Sequence, residues 1–197
     1  MKLPPDATLL VVDVQQGMHD PSMGSRNNPN AEQNLAHLLN TWREQRRPIQ
    51  HVKHNSIRDD SVFHPAHPGN QIQKFAQPRD DEPLIEKSAN CAFVETDLEA
   101  RLRNAGVTTL VIVGFVTNHC VETTARVAGD LGFDTYVVSD ASAAFDRIGP
   151  DRQMYPGDLI HNVALASIHG EFATVVGTAA VLEAVGVGSA EADKSDG

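Results

Sequence analysis

Three side chains in this sequence have the types and settings that nucleophilic catalysis requires. Asp13 interrupts the otherwise apolar run Thr8-Leu9-Leu10-Val11-Val12-Asp13-Val14. Lys87 ends the short run Leu84–Lys87. Cys120 follows Gly114, the end of another apolar run, and falls near the start of a helical pattern. A thiol becomes a nucleophile when a base removes its proton and a nearby cation favours the thiolate. An acid, a cation and a thiol supply those parts, and the chemistry they suit is attack on a carbonyl carbon. A helix start adds unpaired N–H groups and a favourable dipole. Cys120 is therefore expected to titrate low and to react fast. Cys91, in Ser88-Ala89-Asn90-Cys91-Ala92-Phe93, has no such helix start and reads as a small packing residue.

These groups act together only if the chain brings them to one place. In an open parallel sheet, ligands bind outside the carboxyl ends of the strands. Near-continuous apolar runs predict strands buried on both faces at Thr8–Val14, Pro48–His54, Leu84–Lys87, Val107–Val113, Asp134–Ser139 and Phe172–Gly177. Helical patterns lie between them. Asn30 with Gln33 reads as a capping box, followed by Leu35, Leu38, Leu39 and Trp42 on one face. Thr96 with Glu99 reads as a second box, with Leu98, Leu102 and Ala105 facing inward and Gly106 as the stop. Further helices are expected near Asn118–Gly132, with Val121, Ala125 and Ala128 facing in, and at Asp158–His169 and Ala179–Val185. Strands alternating with helices predict a three-layer α/β/α sandwich about a six-stranded parallel sheet, Rossmann-like in architecture. Asp13, Lys87 and Cys120 then share one edge of it. The stretches Pro21–Asn30 and Asn55–Pro83 read as loops, the second long enough to be a lid or binding loop.

Composition narrows the classes. A chain of 197 residues predicts one domain over 1–197, with an ordered core at about residues 6–185 and a flexible polar tail from Gly186. The net charge of −10 argues against nucleic-acid and anionic-membrane partners and leaves a small-molecule substrate. No apolar run approaches the ~20 residues of a membrane span. The N-terminus has no basic region leading into a long apolar stretch, and two cysteines are no disulfide framework. A cytoplasmic location with free thiols is the expectation. No Gly-x-Gly-x-x-Gly follows the first strand, which disfavours a dinucleotide site.

Three segments carry a resemblance. Leu10-Val11-Val12-Asp13-Val14-Gln15, then Glu86 through Phe93, then Gly114-Phe115-Val116-Thr117-Asn118-His119-Cys120-Val121-Glu122-Thr123-Thr124-Ala125 resemble the isochorismatase-like cysteine hydrolases. That family includes nicotinamidases, N-carbamoylsarcosine amidases and isochorismatases. The resemblance spans about residues 6–185, and the Cys-Val-x-x-Thr block is its most specific piece. It implies the strand order 3-2-1-4-5-6 and a triad of Asp13, Lys87 and Cys120. It also implies a cis peptide at Phe115–Val116 and an oxyanion hole formed by the N–H groups of Val116 and Cys120.

The activity this implies is that of an amidase-type hydrolase, which cleaves an amide or ureide C–N bond of a small molecule through a thioester. Two other readings stay open: vinyl ether hydrolysis of the isochorismate type with Asp13 as acid, and a non-enzymatic binding member of the fold. Gln16, His54, Phe63, His119, Phe145 and Tyr155 are candidates to line the pocket, while His161 and His169 read as structural. Nicotinamidases of the family carry a metal set built on Asp-x-His. Here that region reads His51-Val52-Lys53-His54-Asn55-Ser56, and His64 and His67 are each followed by proline, so no metal and no other cofactor is expected. The small face of Ala125, Ala128 and Gly129, and the habit of the family, suggest a homo-oligomer, a dimer or higher.

Overall fold

The computed structural model describes residues 1 and 3–186; the expected polar tail lies outside them. Six parallel strands form the main sheet: β1 (Thr8–Val12), β2 (Ile49–His54), β3 (Leu84–Lys87), β4 (Thr109–Phe115), β5 (Asp134–Ala143) and β8 (Thr174–Val176). Their order is β3-β2-β1-β4-β5-β8, as the resemblance implies. Two further strands, β6 (Arg147–Ile148) and β7 (Met154–Tyr155), make a small antiparallel hairpin. At two residues each they are too short to show any periodicity in the sequence.

Continuous apolar runs become the central strands because both sheet faces are covered. Every residue of β1 and β4 is buried. Alternate side chains serve two cores. On one face Leu9, Val11, Val111 and Val113 pack under α1 (Ala31–Glu44) and α5 (Thr178–Ala184), meeting Leu35, Leu38, Leu39, Trp42 and Val181. On the other, Leu10, Val12, Leu110 and Ile112 meet α2 (Leu98–Asn104), α3 (Glu122–Asp130) and α4 (Gly157–Ile168). Burying one such leucine or isoleucine side chain stabilises by ~1.5–3 kcal/mol.

The helix ends depart from expectation at their starts. Asn30 precedes α1 but its side chain caps nothing; at α2 Thr96 Oγ1 accepts the Leu98 N–H at 3.3 Å, while Glu99 turns to Arg103 instead of closing the box. Asn30 (φ −94°, ψ 7°) and Asp97 (φ −97°, ψ 17°) lack the extended backbone that aims a capping oxygen at the first turn. The ends fare better. Gly106 (φ +69°) closes α2 by donating to the Arg103 carbonyl while Val107 donates to Leu102. Gly132 (φ +83°) closes α3 with the same pair of bonds, to Gly129 and from Phe133 to Ala128. At α1 that left-handed position is held by Arg46 (φ +55°), again with both bonds: Arg46 to Arg43 and Arg47 to Trp42.

The small face of α3 does not serve a second copy. Ala125 and Ala128 are fully buried inside the chain, and a Cβ at Gly129 would stand 2.4 Å from the Phe172 carbonyl oxygen. Close packing against the α4–β8 connection consumes it. No helix among the described residues is long and apolar enough to cross a membrane.

Candidate active site

The carboxyl ends of β3, β2, β1 and β4 lie side by side in the sheet. Asp13 follows β1 directly, in a left-handed conformation (φ +51°), and its N–H donates to the Val52 carbonyl at 2.9 Å. Lys87 is the last residue of β3. Near the end of β4, Gly114 (φ +122°) lies so close to β1 that a Cβ there would stand 2.0 Å from the Val12 oxygen. Glycine is required for that approach. The Phe115–Val116 peptide that follows is cis. One wide helical turn, Thr117–Val121, then carries Cys120 and runs into α3. Thr117, fully buried, anchors this turn through its Oγ1, 2.8 Å from Nδ1 of His161 on α4.

At the centre is the Lys87 ammonium. Its Nζ donates to Asp13 Oδ2 at 2.7 Å and to Cys120 Sγ at 3.4 Å, and lies 3.4 Å from His54 Nδ1. Both members of the Asp13–Lys87 pair are shut off from solvent, with side chains 1% and 0% exposed. A buried ion pair gives up hydration that its mutual attraction barely repays, so its place at the sheet edge points to use rather than to stability. Asp13 Oδ1 is buried with no hydrogen-bond partner. That oxygen is free to accept a proton. The Cys120 thiol also points to Asn90 Oδ1, 3.8 Å away.

Burial pushes the Cys120 thiol well above its ordinary value, the Asp13 carboxylate pushes the same way, and Lys87 opposes both without prevailing. The sequence expectation of a depressed thiol is therefore corrected: burial beside Asp13 holds the thiol up rather than down. Burial also pulls Lys87 down, but Asp13 first, with the Cys120 sulfur beside it, outweighs this and holds the ammonium above the usual lysine range. His54 is pulled below the usual histidine value by burial and by Lys87, against Asp13, so it is neutral at pH 7.

Asp13, His54 and Cys120 place one donor atom each within 4.8 Å of one another. As a metal set they do not fit, because the Lys87 ammonium already stands within 3.4 Å of all three. A divalent ion would have to displace a buried cation. Turnover is expected to survive prolonged chelation; a loss reversed by added zinc or manganese would contradict this.

The other sequence candidates scatter. His54 lies in the cluster, and Phe63 from the long segment meets its ring edge-on at 6.4 Å. His119, next to the thiol, is half-buried and kept neutral by burial first and by the Arg147 charge second. Phe145 is a core residue under α1. Tyr155 donates to Asp151 Oδ2 at 2.8 Å and borders a groove beside Asn118 and Glu122. Gln16 is exposed and lines an outer crevice with His19, His67 and Gln71.

The glutamine that matters structurally is its neighbour. Gln15 is wholly buried; its Nε2 donates to the His54 and Asn70 carbonyls and its Oε1 accepts the His54 N–H, all at 2.9 Å. Gln73 donates back to the Gln15 carbonyl, and Asn70 reaches the carbonyls of His54 and Phe63. These bonds tie the Asn55–Pro83 segment over the ends of β1 and β2. Gln15, Asn70, Gln73, Asn90 and Thr117 escape sequence reasoning; the one local signal is a glutamine closely following an apolar strand.

The isochorismatase domain family matches residues 7–180. The isochorismatase family protein YrdC of Bacillus subtilis is 43% identical over 170 residues, which cover 86% of this chain and 91% of that protein. A crystal structure of an isochorismatase-family protein from Chromobacterium violaceum superposes with a TM-score of 0.91 at 38% identity, covering 94% of this chain and 97% of its own. That of an isochorismatase from Pseudomonas putida gives 0.82 at 32% identity, covering 91% and 93%.

Proposed function

We propose that this chain, which belongs to the isochorismatase family, is a cysteine hydrolase that cleaves an amide or ureide C–N bond of a small molecule through a thioester. The observation that carries this reading is the buried, unpartnered Asp13 Oδ1 in the same cluster as Cys120, with the Lys87 ammonium bridging the two residues. In this mechanism Sγ attacks the substrate carbonyl as Asp13 takes the thiol proton. The N–H groups of Val116 and Cys120 receive the oxyanion, a contact worth ~3–4 kcal/mol per donor. The C–N bond then breaks, and Asp13 returns the proton to the departing amine. Water next attacks the thioester, giving a proton to Asp13. The thiolate leaves with that proton, and free acid and resting thiol are restored. Lys87 keeps the carboxylate oriented and offsets the negative charge throughout. His54, Phe63 and His119 are the pocket residues that the geometry favours.

The test is a panel of primary amides, ureides and isochorismate, with ammonia and pyruvate as readouts. Ammonia without pyruvate is the expected result. Pyruvate would select vinyl ether hydrolysis with Asp13 as acid, and silence across the panel would favour a binding role.

The same reading makes the chain one hydrolase domain acting in the cytoplasm on a small molecule, without nucleic acid, and as a homo-oligomer. Support for assembly lies in the groove beside Tyr155, where Leu159 and Val163 stand 47% and 56% exposed, with Met154 57% exposed nearby in sequence. Light scattering at micromolar concentration is expected to give at least twice the chain mass of 21.3 kDa. Leu159→Glu with Val163→Glu is expected to reduce it to one chain. A parent protein that already scatters as a single chain would remove the assembly.

A further inference from the structure

We infer that the arginine-lined cavity at the end of the sheet opposite Cys120 is a binding site for a small organic phosphate carrying more than one negative charge. The cavity holds about 530 Å³ and is bordered by Arg43, Arg46 and Arg47 from the end of α1 and Arg79 from the long segment. Pro48 and Ile49 at the start of β2, and Pro83 before β3, wall it. The triad occupies the carboxyl ends of these strands, and the cavity their amino ends.

Two of the four guanidinium groups are committed. Arg43 forks onto Glu82, at 2.7 and 2.8 Å. Arg47 donates to Gln45 Oε1 and the Pro4 carbonyl and lies 5.6 Å over the Trp42 ring. Arg46 and Arg79 have no side-chain hydrogen bond or ion pair among the described residues. Of the two carboxylates at the cavity, Glu82 cannot serve them. Burial opposes its charge, but Arg43, the Arg79 N–H and His51 together hold its pKa down to about 2. Its oxygens are filled by those same donors. Asp81 alone remains to set against two free guanidinium groups.

A surplus of cations in one cavity runs against the −10 charge of the chain. The backbone makes the same point. Helices α2 and α3 end on glycine at the left-handed position, whereas α1 ends identically on Arg46 at φ +55°. A side chain there is strained where glycine is not. What arginine adds is a guanidinium fork at the cavity mouth. Such forks match the paired oxygens of a phosphate, and the proline and isoleucine walls suit an organic body attached to it.

Trp42 is the one tryptophan in the chain, buried beneath Arg47, which lines the cavity, so its fluorescence is one readout for a ligand that engages Arg47. Pyrophosphate, inorganic phosphate and citrate would be titrated into the full-length protein by fluorescence and calorimetry. Pyrophosphate is expected to saturate one site per chain and to raise Tm. Arg79→Ala is expected to weaken it by about tenfold. Arg46→Gly is expected to weaken it as much while leaving Tm of the free protein equal or higher, because glycine relaxes the helix end. A purely structural arginine would give the reverse pattern. Absence of saturable pyrophosphate binding would overturn the inference, as would binding that both variants leave intact. Citrate binding tighter than pyrophosphate would overturn the phosphate assignment. None of these readouts passes through turnover, so the result stands apart from the hydrolase reading.

Discussion

A Cys120→Ala variant is expected to fold normally and to lose turnover on every acyl substrate, by on the order of 10⁴-fold or more. The fold survives because the change removes one small buried side chain and leaves the Lys87–Asp13 pair at 2.7 Å intact. The reaction does not, because no other group near Asp13 can form the thioester. Cys91→Ser is the matched control. Cys91 is 3% exposed and lies in the segment after β3, where Ala92 N–H is held by Thr124 Oγ1. That variant should keep most of the parent rate. Steady-state rates on the best substrate of the panel decide the matter. A Cys120→Ala protein with near-parent turnover would end the nucleophile assignment.

Asp13→Asn should cost about 10²–10⁴-fold in turnover, the range of lost general acid–base catalysis. It should also change the thiol in the opposite sense to a simple loss of function. In the parent, burial and the Asp13 charge raise the Cys120 thiol, so alkylation by iodoacetamide is slow at pH 7 and climbs as pH rises. Asparagine deletes the charge that raises the thiol and spares the Lys87 cation that lowers it. The alkylation midpoint therefore moves to lower pH, and labelling near neutrality becomes faster while catalysis falls. Peptide mapping across a pH series reads this directly. Parent-level turnover in the variant, or a midpoint that stays put or rises, would remove Asp13 from its role.

The depth to which the sequence could be read tracked the range of the interactions involved. Periodicity is local, so the alternation of buried strands with amphipathic helices was plain, and Leu84–Lys87 emerged with its boundaries intact. Glycine at φ > 0 is also a local demand, which is why Gly106 could be assigned as a stop. The first capping box failed because side-chain capping depends on the dihedrals at Asn30, which are near-helical, whereas at the second Thr96 Oγ1 does hold the Leu98 N–H. The face of Ala125, Ala128 and Gly129 was legible as a close-packing surface. Which partner it met, the backbone at Phe172, was not.

The site divides along the same line. Residue type and strand-end position singled out Asp13, Lys87 and Cys120, because an acid, a cation and a thiol at the carboxyl edge of a parallel sheet is a chemical statement that sequence can make. The direction in which the Cys120 thiol and the Lys87 ammonium shift was decided only in three dimensions. A helix start favours a thiolate, yet burial with a carboxylate in contact outweighs that dipole, and burial is a property of the whole packed chain. Gln15 rather than Gln16 enters the interior because β1 ends at Val12 and the backbone turns left-handed at Asp13. Sequence by itself determined the succession of the six main strands with their helices and singled out three groups that could react, since these rest on local pattern and residue chemistry. Tertiary structure alone decided that the thiol is pushed up rather than down, because desolvation and contact charges exist only once distant segments close around it.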